Sequence, residues 1–326
     1  VTESASLVAT KVAFGEALVE LGLSHPDVVV LDADLANSTC ADMFADRLPN
    51  RFLEMGIAEQ NMIGVAAGLA CVGLIPFAVG FAAFMSCRDL DQIRVSIAQP
   101  RLHVVVVGAY SGLLVGGGGK THVCLEDLAI LRSMPNMVVL APADATETRQ
   151  AVFAAANHNG PIYMRLTRNP SPLVFGPDYR FSIGPGVVLR TGTDVALLST
   201  GVQTTRALDA AEALQQEGIS ACVLHLPTVK PLDDAAVLEA ARSTGAVVTT
   251  EDHSIIGGLG SAVAELLSER LPTPIRRVGT RDVFAESGSD EALLEKYGLG
   301  PKSIVCAARD VLQQKHAGIP KQEVER

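Results

Sequence analysis

The chain has no tryptophan, and aromatic residues make up only 4% of it. Its core must therefore be built from Ala, Val, Leu and Ile, a composition that suits parallel strands buried on both faces. There is no excess of positive charge. The formal net charge is −10 at pH 7, which excludes a general nucleic-acid binder, since that function needs a basic face. Cysteine patterning is missing too. Cys40, Cys71, Cys87, Cys124, Cys222 and Cys306 are scattered, with no Cys-x-x-Cys pair and no Cys/His cluster. No metal site is expected in this chain. Reduced thiols of a cytoplasmic protein are the expectation instead.

Charge is absent altogether between Glu59 and Arg88. A run of that length has to be weighed as a membrane span, which needs roughly 18 or more apolar residues. Gly64, Gly68, Gly73, Gly80 and Pro76 argue against one. They divide the run at 72–76 into a buried helix, a turn and a buried strand. The first residues lack the charged-then-apolar pattern of a secretory signal, so no membrane association is expected. The dipeptide Gly-Asp occurs nowhere. Gly116-Gly117-Gly118-Gly119-Lys120-Thr121 is only superficially a phosphate-binding loop: Leu114 stands where the pattern needs its leading glycine.

What is present is a regular alternation of strand and helix patterns over 326 residues, long enough for two domains with their own cores. Period and composition predict helices over 11–23, 61–71, 85–97, 126–131 and 145–156. Val12, Leu18 and Leu21 are expected on one side of the first. Strands are predicted at 28–31, 52–55, 77–79, 103–107, 137–140 and 162–164. The stretch 169–186 is rich in Pro and Gly and poor in periodicity, so it reads as a linker. A second α/β unit follows from Asp194, with strands at 195–198, 221–224 and 246–248 and helices at 205–216, 234–241 and 260–271. The fold class is α/β in two consecutive domains, 1–172 and 191–326, joined by a linker at 173–190. The polar tail after Lys315 is expected to fray.

The run Glu54-Met55-Gly56-Ile57-Ala58-Glu59-Gln60-Asn61-Met62 places one acid at the mouth of the uncharged stretch. Alone, Glu59 could be an ordinary acid at a helix start, favoured by the helix dipole. The run resembles the Gly-Ile-Ala-Glu-Gln signature of transketolases and deoxyxylulose-phosphate synthases. The resemblance continues through Ala33-Asp34-Leu35, Gly80-Phe81-x-x-Phe84, Thr121-His122 and Ile256-Gly257-Gly258-Leu259-Gly260. It implies thiamine diphosphate as cofactor. It also implies that this chain holds a pyrimidine-binding domain followed by the transketolase C-terminal domain. The family's preceding domain, which grips the diphosphate and Mg²⁺ through Gly-Asp-Gly and a later Asn, has no counterpart here. The chain therefore resembles the C-terminal subunit of a split enzyme, with the metal ligands on an N-terminal partner subunit.

The resemblance assigns roles residue by residue. Glu59 would hydrogen-bond the aminopyrimidine N1′ and act in catalysis. Phe81 and Phe84, three apart and expected on one helical face, would wall the pyrimidine, with Cys87 next along the stripe and Ile57 and Asp34 also at the cofactor. Core packing is the competing reading of the two phenylalanines. His122 would face the substrate carbonyl as a proton carrier. Lys11, Ser38, Tyr110 and Arg168 would meet the substrate, although Ser38 could equally be a cap and Arg168 an exposed strand-end charge.

Departures from the family pattern are Gly118 in place of an acid, Tyr110 in place of a histidine, Lys11 in place of an arginine and Cys87 in place of a tyrosine. Lysine is a point charge rather than a fork. A specialised donor is expected on these grounds. The implied activity is transfer of a two-carbon ketol unit from a phosphorylated or otherwise anionic ketose to an aldehyde, in an α2β2 cytoplasmic enzyme. A deoxyxylulose-phosphate-synthase-like or other acyloin-forming subunit is the near alternative. The β-subunit of a 2-oxoacid dehydrogenase fits the motifs less well. A non-catalytic interaction subunit is the alternative of another class.

Overall fold

The unbroken apolar run Val28–Asp32 forms a strand buried at every residue, because a parallel sheet is covered on both faces. In the computed structural model, which describes residues 7–317, this strand belongs to a seven-stranded sheet. The spatial order is Thr228–Lys230, Val138–Leu140, Ile162–Arg165, Val105–Ala109, Ile75–Phe81, Val28–Asp32, Phe52–Glu54. All neighbours run parallel except the first pair. One face carries Phe14, Leu18, Leu21, Phe44 and Phe77; the other carries Met62, Ile63, Ile93, Ile97 and Tyr163. In helix Thr10–Ser24 the buried stripe is Phe14, Ala17, Leu18 and Leu21, and Val12 lies off it, only half-buried.

The single helix expected over 85–97 does not form. Helix Ala82–Cys87 stops, Asp89 adopts φ −114°, and the chain resumes as Leu90–Gln92 and a π-helix over Ile93–Ala98. A π-turn admits an extra residue into a helical path, and such turns are frequent at functional sites. Phe81 is the last residue of strand Ile75–Phe81 and not part of a helical face; Phe84 follows on helix Ala82–Cys87.

The second sheet has five strands, in the order Ile275–Thr280, Val247–Ser254, Val195–Ser199, Ala221–His225, Val187–Arg190. Val187–Arg190 falls at the end of the segment read as linker, and it closes this sheet antiparallel to Ala221–His225. Strand Thr228–Lys230, from the second half of the chain, pairs with Val138–Leu140 of the first sheet. Beside that crossing, His225 Nε2 lies 2.8 Å from Glu147 Oε2 and its Nδ1 lies 2.7 Å from Thr204 Oγ1. Tyr179 OH donates to Glu147 Oε1 at 2.6 Å. The two halves thus meet through a shared sheet and a buried hydrogen-bond chain. Helices Asp290–Lys296 and Pro301–Ala317 complete the described structure. The tail from residue 318 lies outside the described residues.

Candidate functional site

In open α/β sheets ligands gather beyond the carboxyl ends of the strands. Five neighbouring strands deliver the site residues there. Arg168 follows Ile162–Arg165, Tyr110 follows Val105–Ala109, and Phe81 ends Ile75–Phe81. Asp34 follows Val28–Asp32, and Glu59 follows Phe52–Glu54.

Glu59 opens helix Glu59–Cys71 and is only 1% exposed. Its carboxylate is not left to the helix dipole. Arg88 Nη1 donates to Oε1 at 2.8 Å and to Oε2 at 2.9 Å. The Arg88 guanidinium also sits 4.2 Å from the Phe84 ring centroid, within cation–π range. The backbone oxygen of Arg88 accepts from Gln60 Nε2 at 3.0 Å, so the Arg88 turn is tied to the helix that carries the acid.

The aromatic residues form one group. Phe81 stacks on Tyr110 at 4.2 Å between centroids and meets Phe84 at 5.9 Å. The His122 ring stands edge-on to both phenylalanines, at 5.8 and 5.5 Å. Its Nδ1 is 2.8 Å from Thr121 Oγ1. Two cations close the far side: Lys11 Nζ is 5.2 Å and the Arg168 guanidinium 5.4 Å from the Tyr110 centroid. Lys11 Nζ also donates to the backbone oxygen of Ser38 at 2.8 Å. Tyr110 reaches this position with φ +59°, a conformation uncommon outside glycine and often found where structure is constrained for function.

Glu59, Phe81, Phe84, Tyr110, His122, Lys11, Ser38 and Arg168 therefore lie in one connected arrangement. Three expected cofactor residues do not join it within the described chain. Ile57 is 75% exposed. Asp34 is exposed, with φ +62°. Cys87 is exposed too, its Sγ 3.6 Å from Ser86 Oγ. Glu54 ties the two exposed loops together, its Oε1 accepting from Asp34 N at 2.9 Å and Gly56 N at 2.8 Å. Below them Asp32 accepts from Leu35 N at 2.5 Å, and burial pushes its carboxyl up to about 7.

The loop that carries His122 rests on a buried ionic group spanning both domains. Arg165 Nε donates to Asp127 Oδ2 at 2.8 Å, and its Nη2 donates to the backbone oxygen of Asp252 at 2.7 Å. Tyr163 OH donates to the same Asp127 oxygen at 2.8 Å, and Asp252 Oδ1 accepts from Leu113 N at 2.9 Å. Gly118, in the place of the family acid, has little room around it. A Cβ there would stand 2.8 Å from Val115 Cγ1 and 3.0 Å from His122 Cβ. Any side chain at 118 would therefore require Val115 or His122 to give way.

Arg88, Asp89 and Glu54 are site residues that motif reading passed over. The available signal was Arg88 itself, the first charge after Glu59. A buried acid at one end of an uncharged run needs a cation, and that was the first one the chain offers.

Charged and aromatic side chains gathered beyond the carboxyl ends of a doubly covered sheet mark this chain as a ligand-binding α/β protein. The chain belongs to the transketolase family. Residues 6–172 match the profile of the transketolase pyrimidine binding domain, and residues 184–304 match that of the transketolase C-terminal domain. It is 46% identical over 299 residues to the 6-deoxy-6-sulfo-D-fructose transketolase subunit SqwH of Clostridium sp. (strain MSTE9), covering 92% of this chain and 93% of that protein. A solved structure described as a split gene transketolase, inactive beta4 tetramer, superposes with a TM-score of 0.89 at 51% identity, covering 94% of this chain and 99% of that one. Transketolase from Leishmania mexicana superposes with a TM-score of 0.79 at 26% identity, over 96% of this chain but only 46% of that one. The chain thus spans 93% and 99% of the first two proteins and about half of the third. No helix among the described residues is long and apolar enough to cross a membrane.

Proposed function

We propose that this chain is the C-terminal subunit of a two-subunit, thiamine-diphosphate-dependent transketolase, moving a two-carbon ketol unit from an anionic ketose to an aldehyde. The observation that carries this reading is Glu59. It is a carboxylate 1% exposed at the sheet's carboxyl edge, linked through Arg88 to the face of Phe84. The family depends on thiamine diphosphate, and this donor set fits its aminopyrimidine: one acid for a ring nitrogen and aromatic faces for the ring. The cofactor supplies the nucleophilic carbon and the electron sink.

The chain's own residues do the rest. Glu59 holds the proton shared with the ring nitrogen. Phe81 and Phe84 orient the ring and exclude water, with Ile57 and Cys87 at its margin. His122, with Nδ1 engaged by Thr121, presents Nε2 to a substrate oxygen and carries its proton. Lys11 and Arg168 attract the anionic end of the donor, and Ser38 lies beside Lys11. Asp34, exposed on its turn, faces a site completed by the partner. Among the described residues no group of three or more His, Cys, Asp or Glu side chains is placed to hold a metal ion. Mg²⁺ and the diphosphate are assigned to the N-terminal partner subunit, in a cytoplasmic α2β2 assembly. Transfer of a whole ketol unit is preferred over the acyloin alternatives because the comparisons are to transketolase subunits.

The crowding at Gly118 bears on the donor. The hydroxyl that a family acid would bind loses its partner, and any side chain placed at 118 would have to displace Val115 or His122. A site built to bond a hydroxyl can discriminate by about 10⁴–10⁵ against an analogue lacking it; this site forgoes that discrimination. In a donor panel on the reconstituted complex, a deoxygenated or otherwise modified anionic ketose is expected to exceed xylulose 5-phosphate and fructose 6-phosphate by about tenfold or more in kcat/KM. Preference for those two standard donors would overturn the specialised donor. Transfer from none of the ketoses would overturn the function itself.

A further inference from the structure

Asp89 is completely buried, and neither of its carboxyl oxygens has a hydrogen-bond partner. Buried polar groups are ordinarily satisfied, so this orphaned pair calls for a physical reason. Gln92 Oε1, three residues on, is a further buried acceptor without a donor. The charged groups that face Asp89 are Glu59, from helix Glu59–Cys71, and Arg88, beside it in the chain. Burial pushes the Asp89 carboxyl up to about 8, its own backbone N–H and the charge of Arg88 opposing the rise and the charge of Glu59 adding to it. At neutral pH it holds its proton.

Arg88 meanwhile occupies two surfaces at once. Its Nη1 contacts both oxygens of Glu59, at 2.8 and 2.9 Å, and its guanidinium covers Phe84 at 4.2 Å. On the thiamine-diphosphate reading, on which this inference rests, those are the surfaces the aminopyrimidine needs. With Nη1 bridging both oxygens and the guanidinium lying over Phe84, a ring that stacks on Phe84 and bonds Glu59 from that side has to displace Arg88.

We propose that Arg88 and Asp89 form a charge-exchange switch: Arg88 caps Glu59 in the free chain, and on cofactor docking it moves its charge to Asp89, whose proton passes to Glu59. The exchange balances. Before it, Asp89 is neutral, Glu59 anionic and Arg88 cationic. After it, Asp89 is anionic, Glu59 neutral and Arg88 unchanged. One O–H bond breaks at Asp89 and one forms at Glu59, directly or through water, and no net charge enters the buried site. Glu59 thereby acquires the proton it shares with the ring without drawing one from solvent. The orphaned oxygens of Asp89 are acceptors held for the guanidinium. Asp89 touches no cofactor on this scheme and is a positioning residue.

Calorimetry tests the exchange. The complex of this chain with its partner is titrated with thiamine diphosphate and Mg²⁺ in buffers of different protonation enthalpy. Asp89→Asn removes the internal proton source, so binding should take up about one proton more per site than wild type, and affinity should fall about tenfold more per pH unit between pH 7 and 8. A role in packing alone would weaken binding without changing proton uptake. Arg88→Met is the independent arm. It uncaps Glu59 in advance, so stopped-flow association of the cofactor should be severalfold faster. Wild-type proton uptake in Asp89→Asn, or unchanged or slower association in Arg88→Met, overturns the switch. Failure of the wild-type complex to bind the cofactor overturns the functional reading beneath it.

Discussion

Glu59→Gln is expected to lower ketol transfer by the assembled complex by about 10²–10⁴-fold, the usual scale of a positioned acid–base group. The amide keeps the shape of the side chain and fills the same 1%-exposed site. It cannot share a proton with a ring nitrogen as an acid does. It also loses the ion pair in which Arg88 Nη1 contacts both oxygens, so the guanidinium keeps only its place over Phe84. The fold should survive, since the half-exposed Arg88 can turn to solvent. The check is hydrogen–deuterium exchange at C2 of the bound cofactor, followed by NMR alongside turnover. Both should slow together. Exchange at the wild-type rate in the variant would remove Glu59 from the activating role.

The largest stability effect is expected away from the aromatic group, at Arg165. Its guanidinium lies directly among buried carboxyls: Asp127 accepts from its Nε, and burial pushes the Asp252 carboxyl up while Arg165 first, then Arg206, oppose the rise. Asp252 Oδ2 and Asp127 Oδ1 already lack partners. Removing the cation leaves buried charge uncompensated, a loss that typically costs about 3–5 kcal/mol. Arg165→Met, near in volume and apolar, should therefore shift the urea midpoint sharply, with the slope of the transition little changed. Because Leu113 N donates to Asp252 Oδ1 at 2.9 Å, the loop bearing His122 should loosen as well and gain amide exchange. A midpoint within the error of wild type would show that the carboxyls are neutral or otherwise satisfied.

Most of the scaffold was legible because its determinants are local. Short apolar runs rich in Val and Leu, such as 28–31 and 195–198, favour strands of a covered parallel sheet, and they form them. The motif residues Glu59, Phe81, Phe84 and His122 fall into one site because consecutive strand ends place them there. What escaped the reading is non-local. Thr228–Lys230 is three residues long and acquires its strand identity only by crossing to the other domain's sheet. Ile275–Thr280 carries Arg276 and Arg277 on a half-exposed edge, so its pattern lacks the continuous apolar run of the inner strands. The break at Asp89 interrupts an otherwise plausible helical period. It falls beside Arg88, which reaches a carboxylate 29 positions away in sequence, a partnership no window of sequence contains. In helix Pro301–Ala317 the apolar residues Ile304, Val305, Ala308 and Val311 follow helical spacing, a local signal like those of the other helices.

Mixing is the most direct measurement of the central claim, that this chain is one half of a divided active site. A fixed amount of the chain is titrated with the N-terminal partner subunit in the presence of thiamine diphosphate, Mg²⁺, ketose and aldehyde, while light scattering records the mass of the assembly. Ketol transfer should be absent without the partner, rise with it and level off at equal subunit amounts, as the mass reaches that of two copies of each. Cofactor-dependent transfer by the chain alone, or no transfer at any ratio in a properly formed assembly, would contradict it.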